Sequence, residues 1–227
     1  MLGIASRGFN MLSVQQEFTD REREVRRYFT FLRSFTDEVY FADASSFGAT
    51  GERDELFKTL KANGFLLLYN LVESTLKNCI EAIFDELKLR AVSFDHCRTE
   101  LRRIVLRNAK KRDVDKIVQD LSLISVDIAF ATFRKDELVS GNVDARLVRE
   151  FATDYGFDAP KAKSDGLLTV KTNRNDLAHG LKSFSEVGRD FDLGRLEEIM
   201  TEVMNFLRAL LDSVATYITN KSYLLVK

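Results

Sequence analysis

The chain has 227 residues, enough to bury one substantial core or one core with an inserted region. Its 45% hydrophobic and 30% charged residues are ordinary for a globular protein. A formal net charge of −1 excludes a global attraction to nucleic acid, so any such binding needs a local basic patch.

One proline and 11 glycines leave few interruptions, which favours long helices. Residues 1–16 read as poorly structured. Met1 to Leu12 lacks the long apolar run behind a basic start that a secretory signal requires, so none is expected. From Glu17 to Phe41 the apolar positions Val25, Tyr28, Phe29, Leu32, Phe35 and Val39 keep the helical period. The mixed-sign run Asp20 to Glu24 reads as a solvated face of that helix. Ala42 to Gly51 reads as a loop.

Asp54 is positioned to cap the strongest helical pattern, which runs from Leu56 through Leu68, Val72 and Cys79 to Leu87. At about 1.5 Å per residue this helix is roughly 50 Å long, and it needs several partner helices or a second copy of the chain to bury it. Its apolar run Gly64 to Val72 is too short to span a bilayer. Cys79 falls on the buried face. Cys79 and Cys97 form neither a disulfide framework nor a CxxC pair, and a reducing cytoplasm is expected, with no membrane association. Glu73 could serve as an acid catalyst, but a surface or cap-network glutamate is the preferred reading.

After the cap position Asp95 comes the one strongly basic stretch: Arg98, Arg102, Arg103, Arg107, Lys110, Lys111 and Arg112, opposed only by Glu100. It is a candidate track for a phosphate backbone or, equally, a basic face balanced by acidic neighbours. His96 and Cys97 have no companion His or Cys at ligand spacing, so they read as turn residues and no metal site is expected. In residues 113–142 the alternation of Ile124, Val126, Ile128 and Phe130 suggests a strand, though a buried helix or irregular segment fits as well. Asn142 or Asp144 caps a helix ended by Gly156. A loop surrounds Pro160, and Ser164 or Asp165 starts the next helix. After Gly180 a loop runs through Asp190, and Asp192 caps a final helix striped by Leu196, Ile199, Met200, Val203, Leu207, Leu210, Leu211, Val214 and Ile218. The expectation is an all-α bundle of at least four substantial helices plus shorter ones, one domain over 1–227, with 113–165 as an insertion or irregular region.

Chemistry concentrates in Lys171-Thr172-Asn173-Arg174-Asn175-Asp176-Leu177-Ala178-His179-Gly180, which holds one of only two histidines. Asn175 and His179 are four apart and share a helix face, so the amide can orient the imidazole. Arg174 offers a permanent charge and a planar fork of donors suited to phosphate. Gly180 can adopt the left-handed conformation that ends a helix, which puts His179 in the last turn.

Arg174 and His179, with four residues between them before a long last helix, resemble the signature of HEPN domains. Leu71 to Lys77 and Ser140 to Asp144 are similar to blocks of larger bacterial HEPN-like nucleases, and the resemblance covers residues 20–220. It implies a homodimeric, metal-independent endoribonuclease that needs no cofactor. Arg174, Asn175 and His179 from two copies would meet in one cleft, and the stretch 98–112 would hold RNA. Histidine suits proton transfer near neutral pH and arginine suits the developing phosphorane charge. Such proteins often act in toxin–antitoxin or phage-defence systems with a protein partner. Leu181 departs from one subgroup, which has tyrosine there as the target of a modifying antitoxin. The alternative is a non-catalytic helical module that binds a protein or nucleotide, in which Asn175 and His179 only cap the helix.

Overall fold

The longest helix supplies the axis on which the rest of the chain packs. The computed structural model describes residues 10–36, 50–110 and 142–225. They form helices α1 (Met11–Thr36), α2 (Thr50–Leu89), α3 (Thr99–Lys110), α4 (Ala145–Tyr155), α5 (Asp165–Ala178), α6 (Phe184–Arg189) and α7 (Leu193–Thr219). A 3-10 turn spans Phe94–His96. Among the described residues the only β pairing is an isolated bridge between Cys97 and Leu224. The architecture is all-α, as the apolar periodicity predicts.

Helix α2 has 40 residues, so it is about 60 Å long. It packs against α1, α5, α6 and α7. This meets the expectation of several partner helices. Phe65, Leu68, Leu71, Leu76, Ile80 and Ile83 are buried along it. Each such side chain is worth roughly 1.5–3 kcal/mol when fully removed from water. The helix begins four residues before Asp54, so that residue does not cap it. Asp54 instead pairs with Lys58 at 2.6 Å within the first turns. The α7 stripe is buried from Leu196 to Val214, and its start is as expected: Asp192 accepts the Arg195 N–H at 2.7 Å.

Helix α1 starts earlier than its apolar pattern suggests. Asn10 accepts the Ser13 N–H at 3.0 Å, and Val14 and Phe18 are buried, so residues 11–16 are helical rather than poorly structured. The expected stretch beyond Thr36, residues 42–49 of the expected loop and the strand-like alternation at 124–130 lie outside the described residues, while the last two residues of that loop, Thr50 and Gly51, instead open α2. The mixed-sign run of α1 is not wholly solvated. Glu22 is buried and takes Arg26 at 2.7 Å and, from α7, Arg208. It thus completes the buried stripe Phe18–Glu22–Val25 and ties α1 to the last helix.

The segment expected to be a loop up to Asp190 contains α6. Ser183 and Glu186 form a reciprocal capping box at its start. Gly188 packs so closely on α2 that a Cβ there would overlap the Lys58 carbonyl.

Candidate functional site

Helix α5 carries Arg174, Asn175 and His179 on a frame fixed at both ends. Gly166, Leu167, Val170, Asn173 and Leu177 form its buried side, facing α2 and α7. Its start is capped from outside. Ser164 makes no side-chain cap bond, and the Gly166 N–H instead donates to Glu202 of α7 at 3.0 Å. The same carboxylate takes Lys163 at 2.6 Å. Burial works against the charged form of Glu202, but these two bonds outweigh it and hold the carboxyl below its ordinary range.

At the other end Gly180 has φ 67°, the left-handed conformation the sequence anticipates. The Leu181 N–H donates to the Asp176 carbonyl at 2.8 Å, and the Gly180 N–H to Leu177 at 3.2 Å. His179 occupies the C-cap position just past the last helical residue. It is exposed, with its N–H on the Asn175 carbonyl at 2.9 Å.

Arg174 is turned the other way, onto α2. Its guanidinium carbon lies 4.5 Å from the centre of the Tyr69 ring, and Nη1 donates to Asn175 Oδ1 at 3.0 Å. Asn175 Nδ2 donates to Asn142 Oδ1 at 3.0 Å. Both ends of the Asn175 amide are therefore occupied by groups other than the imidazole, which corrects the expectation that it orients His179. Helical spacing brings the two residues to one face, but His179 stands where the helix has already ended, and the loop before α4 offers the amide a nearer partner.

That loop, Asn142-Val143-Asp144, is fastened to two helices. The Val143 N–H donates to Tyr69 Oη at 3.2 Å, and Lys171 Nζ donates to Asp144 Oδ2 at 2.5 Å. Asp144 also caps α4, accepting the Leu147 N–H at 2.9 Å. Burial opposes its charge, but Lys171 and the Leu147 amide more than compensate and lower its pKa. Tyr69 is almost fully buried, and that burial is the main reason its phenol is pushed above its usual value. Sequence reading missed Tyr69, whose only signal was a phenol set in an apolar run. Asn142 reads from the sequence as a cap candidate beside Asp144, with no sign of its link to Asn175.

The basic stretch divides in two. Arg98 is engaged by the fold: Nη1 donates to the Gly156 carbonyl at 2.5 Å and to Ser222 at 3.2 Å, and Nε to Glu100 at 2.8 Å. Arg107 pairs with Asp154 at 2.9 Å, with both side chains about half exposed. Arg102 is partly buried and Arg103 exposed. The Lys110 side chain, Lys111 and Arg112 lie outside the described residues. Helix α3 packs on α4, and α4 on α5, so the stretch joins the motif helix through one intervening element.

His96 Nδ1 lies 3.0 Å from Ser93 Oγ in the turn before α3, and Cys97 is buried. Glu73 is half-buried and pairs with Lys77 at 2.6 Å. Among the described residues no group of three or more His, Cys, Asp or Glu is arranged to hold a metal, and no helix is long and apolar enough to cross a membrane. The arrangement can hold an anion beside Arg174 and can exchange a proton at His179.

A family model described as HEPN_MAE_28990-like HEPN matches residues 12–223, from the first turn of α1 to just beyond α7. No curated protein and no solved structure matches the chain.

Proposed function

The chain belongs to the HEPN_MAE_28990-like HEPN family, whose domains are often RNases, and from that premise we propose that it is a metal-independent endoribonuclease. The observation that carries the reading is the division of labour at the end of α5. A fixed guanidinium lies on one side, and an exposed imidazole lies at the helix end.

RNA brings its own nucleophile. His179 takes the proton of the 2′-hydroxyl, whose oxygen attacks the adjacent phosphorus. Arg174 neutralises the charge that grows on the non-bridging oxygens. The bond to the 5′-oxygen breaks, and that oxygen receives a proton from the partner subunit's His179. The products are a 2′,3′-cyclic phosphate and a 5′-hydroxyl. Each chain supplies one suitable histidine, so two copies supply the acid and the base. Asn175 holds Arg174 in place. Arg102, Arg103, Arg107, Lys110, Lys111 and Arg112 form the RNA track. Arg98 is left out of that track because two carbonyls engage its Nη1 and Glu100 its Nε. The biological setting we propose is a cytoplasmic toxin or effector of a toxin–antitoxin or phage-defence system, with a protein partner controlling it.

A non-catalytic binding module is the second reading. It draws support from Arg174 and Asn175 both having structural contacts within the chain. Incubation of a labelled mixed-sequence RNA in EDTA with wild type and His179→Ala separates the two. The ribonuclease reading expects wild-type cleavage leaving cyclic phosphates and a loss of at least about 100-fold in the variant. Absence of cleavage by a folded wild-type dimer overturns it in favour of the module.

A further inference from the structure

Arg174 is the charged group of the site, and a long arginine on a helix end ordinarily samples many rotamers. Here α2 and its own helix both contact it, and the loop before α4 braces the second contact. The guanidinium carbon stands over the Tyr69 ring of α2, 4.5 Å from its centre. Asn175 Oδ1 accepts from Nη1 at 3.0 Å. The Asn175 amide is anchored in turn to Asn142 at 3.0 Å. The loop bearing Asn142 is pinned back onto the same tyrosine, through the Val143 N–H and Tyr69 Oη at 3.2 Å, and onto α5 through Lys171 and Asp144 at 2.5 Å. The contacts close a ring: Tyr69, Arg174, Asn175, Asn142, Val143 and back to Tyr69.

We infer that Tyr69 is a positioning residue for Arg174, acting through its ring on the guanidinium and through its hydroxyl on the 142–144 loop that anchors Asn175. This rests on the ribonuclease reading for its effect on turnover, though not for its geometry. Cation–π attraction to a ring that is itself buried favours the arginine rotamer that lies over it. The two functions of the tyrosine are separable. The ring is what Arg174 touches, and the hydroxyl is what the Val143 N–H and the Glu73 carboxylate touch. A phosphate arriving at Arg174 would then meet a fork already oriented, so less is lost in ordering it during the reaction.

The test uses the full-length chain with Tyr69→Phe, Tyr69→Leu and Asn142→Ala, read two ways. The first is the Nε–H resonance of Arg174, assigned by its disappearance in Arg174→Lys. A guanidinium over a ring shows an upfield ring-current shift. The shift is expected to persist in Tyr69→Phe and to vanish in Tyr69→Leu. The second is RNA cleavage. Tyr69→Phe is expected to stay within about 3-fold of wild-type kcat, and Asn142→Ala to fall by a similar factor. Tyr69→Leu is expected to lose about 10-fold or more in kcat with KM little changed. Rescue by phenylalanine separates positioning from a general loss of packing, since either replacement leaves the buried site apolar. The inference is overturned if the Arg174 resonance is the same in wild type and a folded Tyr69→Leu, or if that variant cleaves at the wild-type rate. If wild type cleaves no RNA, the ribonuclease reading fails, and the resonance alone decides whether Tyr69 holds Arg174.

Discussion

Two carboxylates do local work out of proportion to their size. Asp144 caps α4 and pairs with Lys171, and Glu202 caps α5 from α7 and pairs with Lys163. Both are held below their ordinary values of 3.8 and 4.5 despite burial that pushes the other way. A depressed carboxyl stabilises the fold fully above its unfolded pKa and loses that contribution as pH falls through its folded pKa. Thermal stability should therefore be nearly constant from about pH 7 to 5 and fall below about pH 4. The double variant Asp144→Asn, Glu202→Gln should have a lower Tm at neutral pH and a shallower acid slope. Parallel curves for the two proteins would show that these groups do not carry the acid sensitivity. Asp144→Ala alone removes a cap and leaves Lys171 without its carboxylate, and should cost about 1–2 kcal/mol in chemical denaturation. Because Asp144 adjoins Val143 and Asn142, the same change should also weaken RNA cleavage, while an exposed control such as Thr172→Ala changes neither.

At the scale of elements, packing distance decides what can be replaced. Gly188 of α6 lies against the backbone of α2, and a backbone carbonyl cannot rotate away as a side chain can. Gly188→Ala must push α6 off α2 and should cost at least about 2 kcal/mol, seen as a fall in Tm of several degrees. A Tm equal to wild type would mean that α6 is free to move. The long helices were legible because their burial is periodic: Val25, Phe29, Leu32 and Phe35 of α1 and the α7 stripe face the core at helical spacing. Short elements were not. Helix α6 has six residues, too few for a period to register, although its Ser183–Glu186 capping box was visible in the sequence. The beginning of α1 was hidden because Asn10 caps two turns in which only Val14 and Phe18 are buried. Glu22 was read as solvated because a charge in a mixed-sign run ordinarily is; its partner Arg208 comes from the far end of the chain. The site was legible to the same extent. Adjacency and spacing singled out Arg174, Asn175 and His179 within a single helix. The groups that hold Arg174 and Asn175 come from α2 and from a loop 33 residues before Asn175, and no local pattern announces such contacts.

For the whole molecule, the central claim is that one catalytic cleft draws on two chains. Each chain has only His96 and His179, and His96 lies in the turn before α3, with Nδ1 on Ser93 Oγ, away from the motif helix in sequence. The proposed reaction needs a base and an acid at once, so the monomer is expected to be inactive and its mass in solution to be that of a dimer. A dimer also fits the exposed position of His179, where a second copy can approach. The most direct measurement is RNA cleavage, at fixed total protein and after subunit exchange, by mixtures of wild type and His179→Ala. If each cleft needs both histidines, only dimers with two wild-type chains cut. Activity then falls as the square of the wild-type fraction, to about a quarter in an equal mixture. A linear fall, to about half in that mixture, would mean that each chain cuts alone and would contradict the shared cleft.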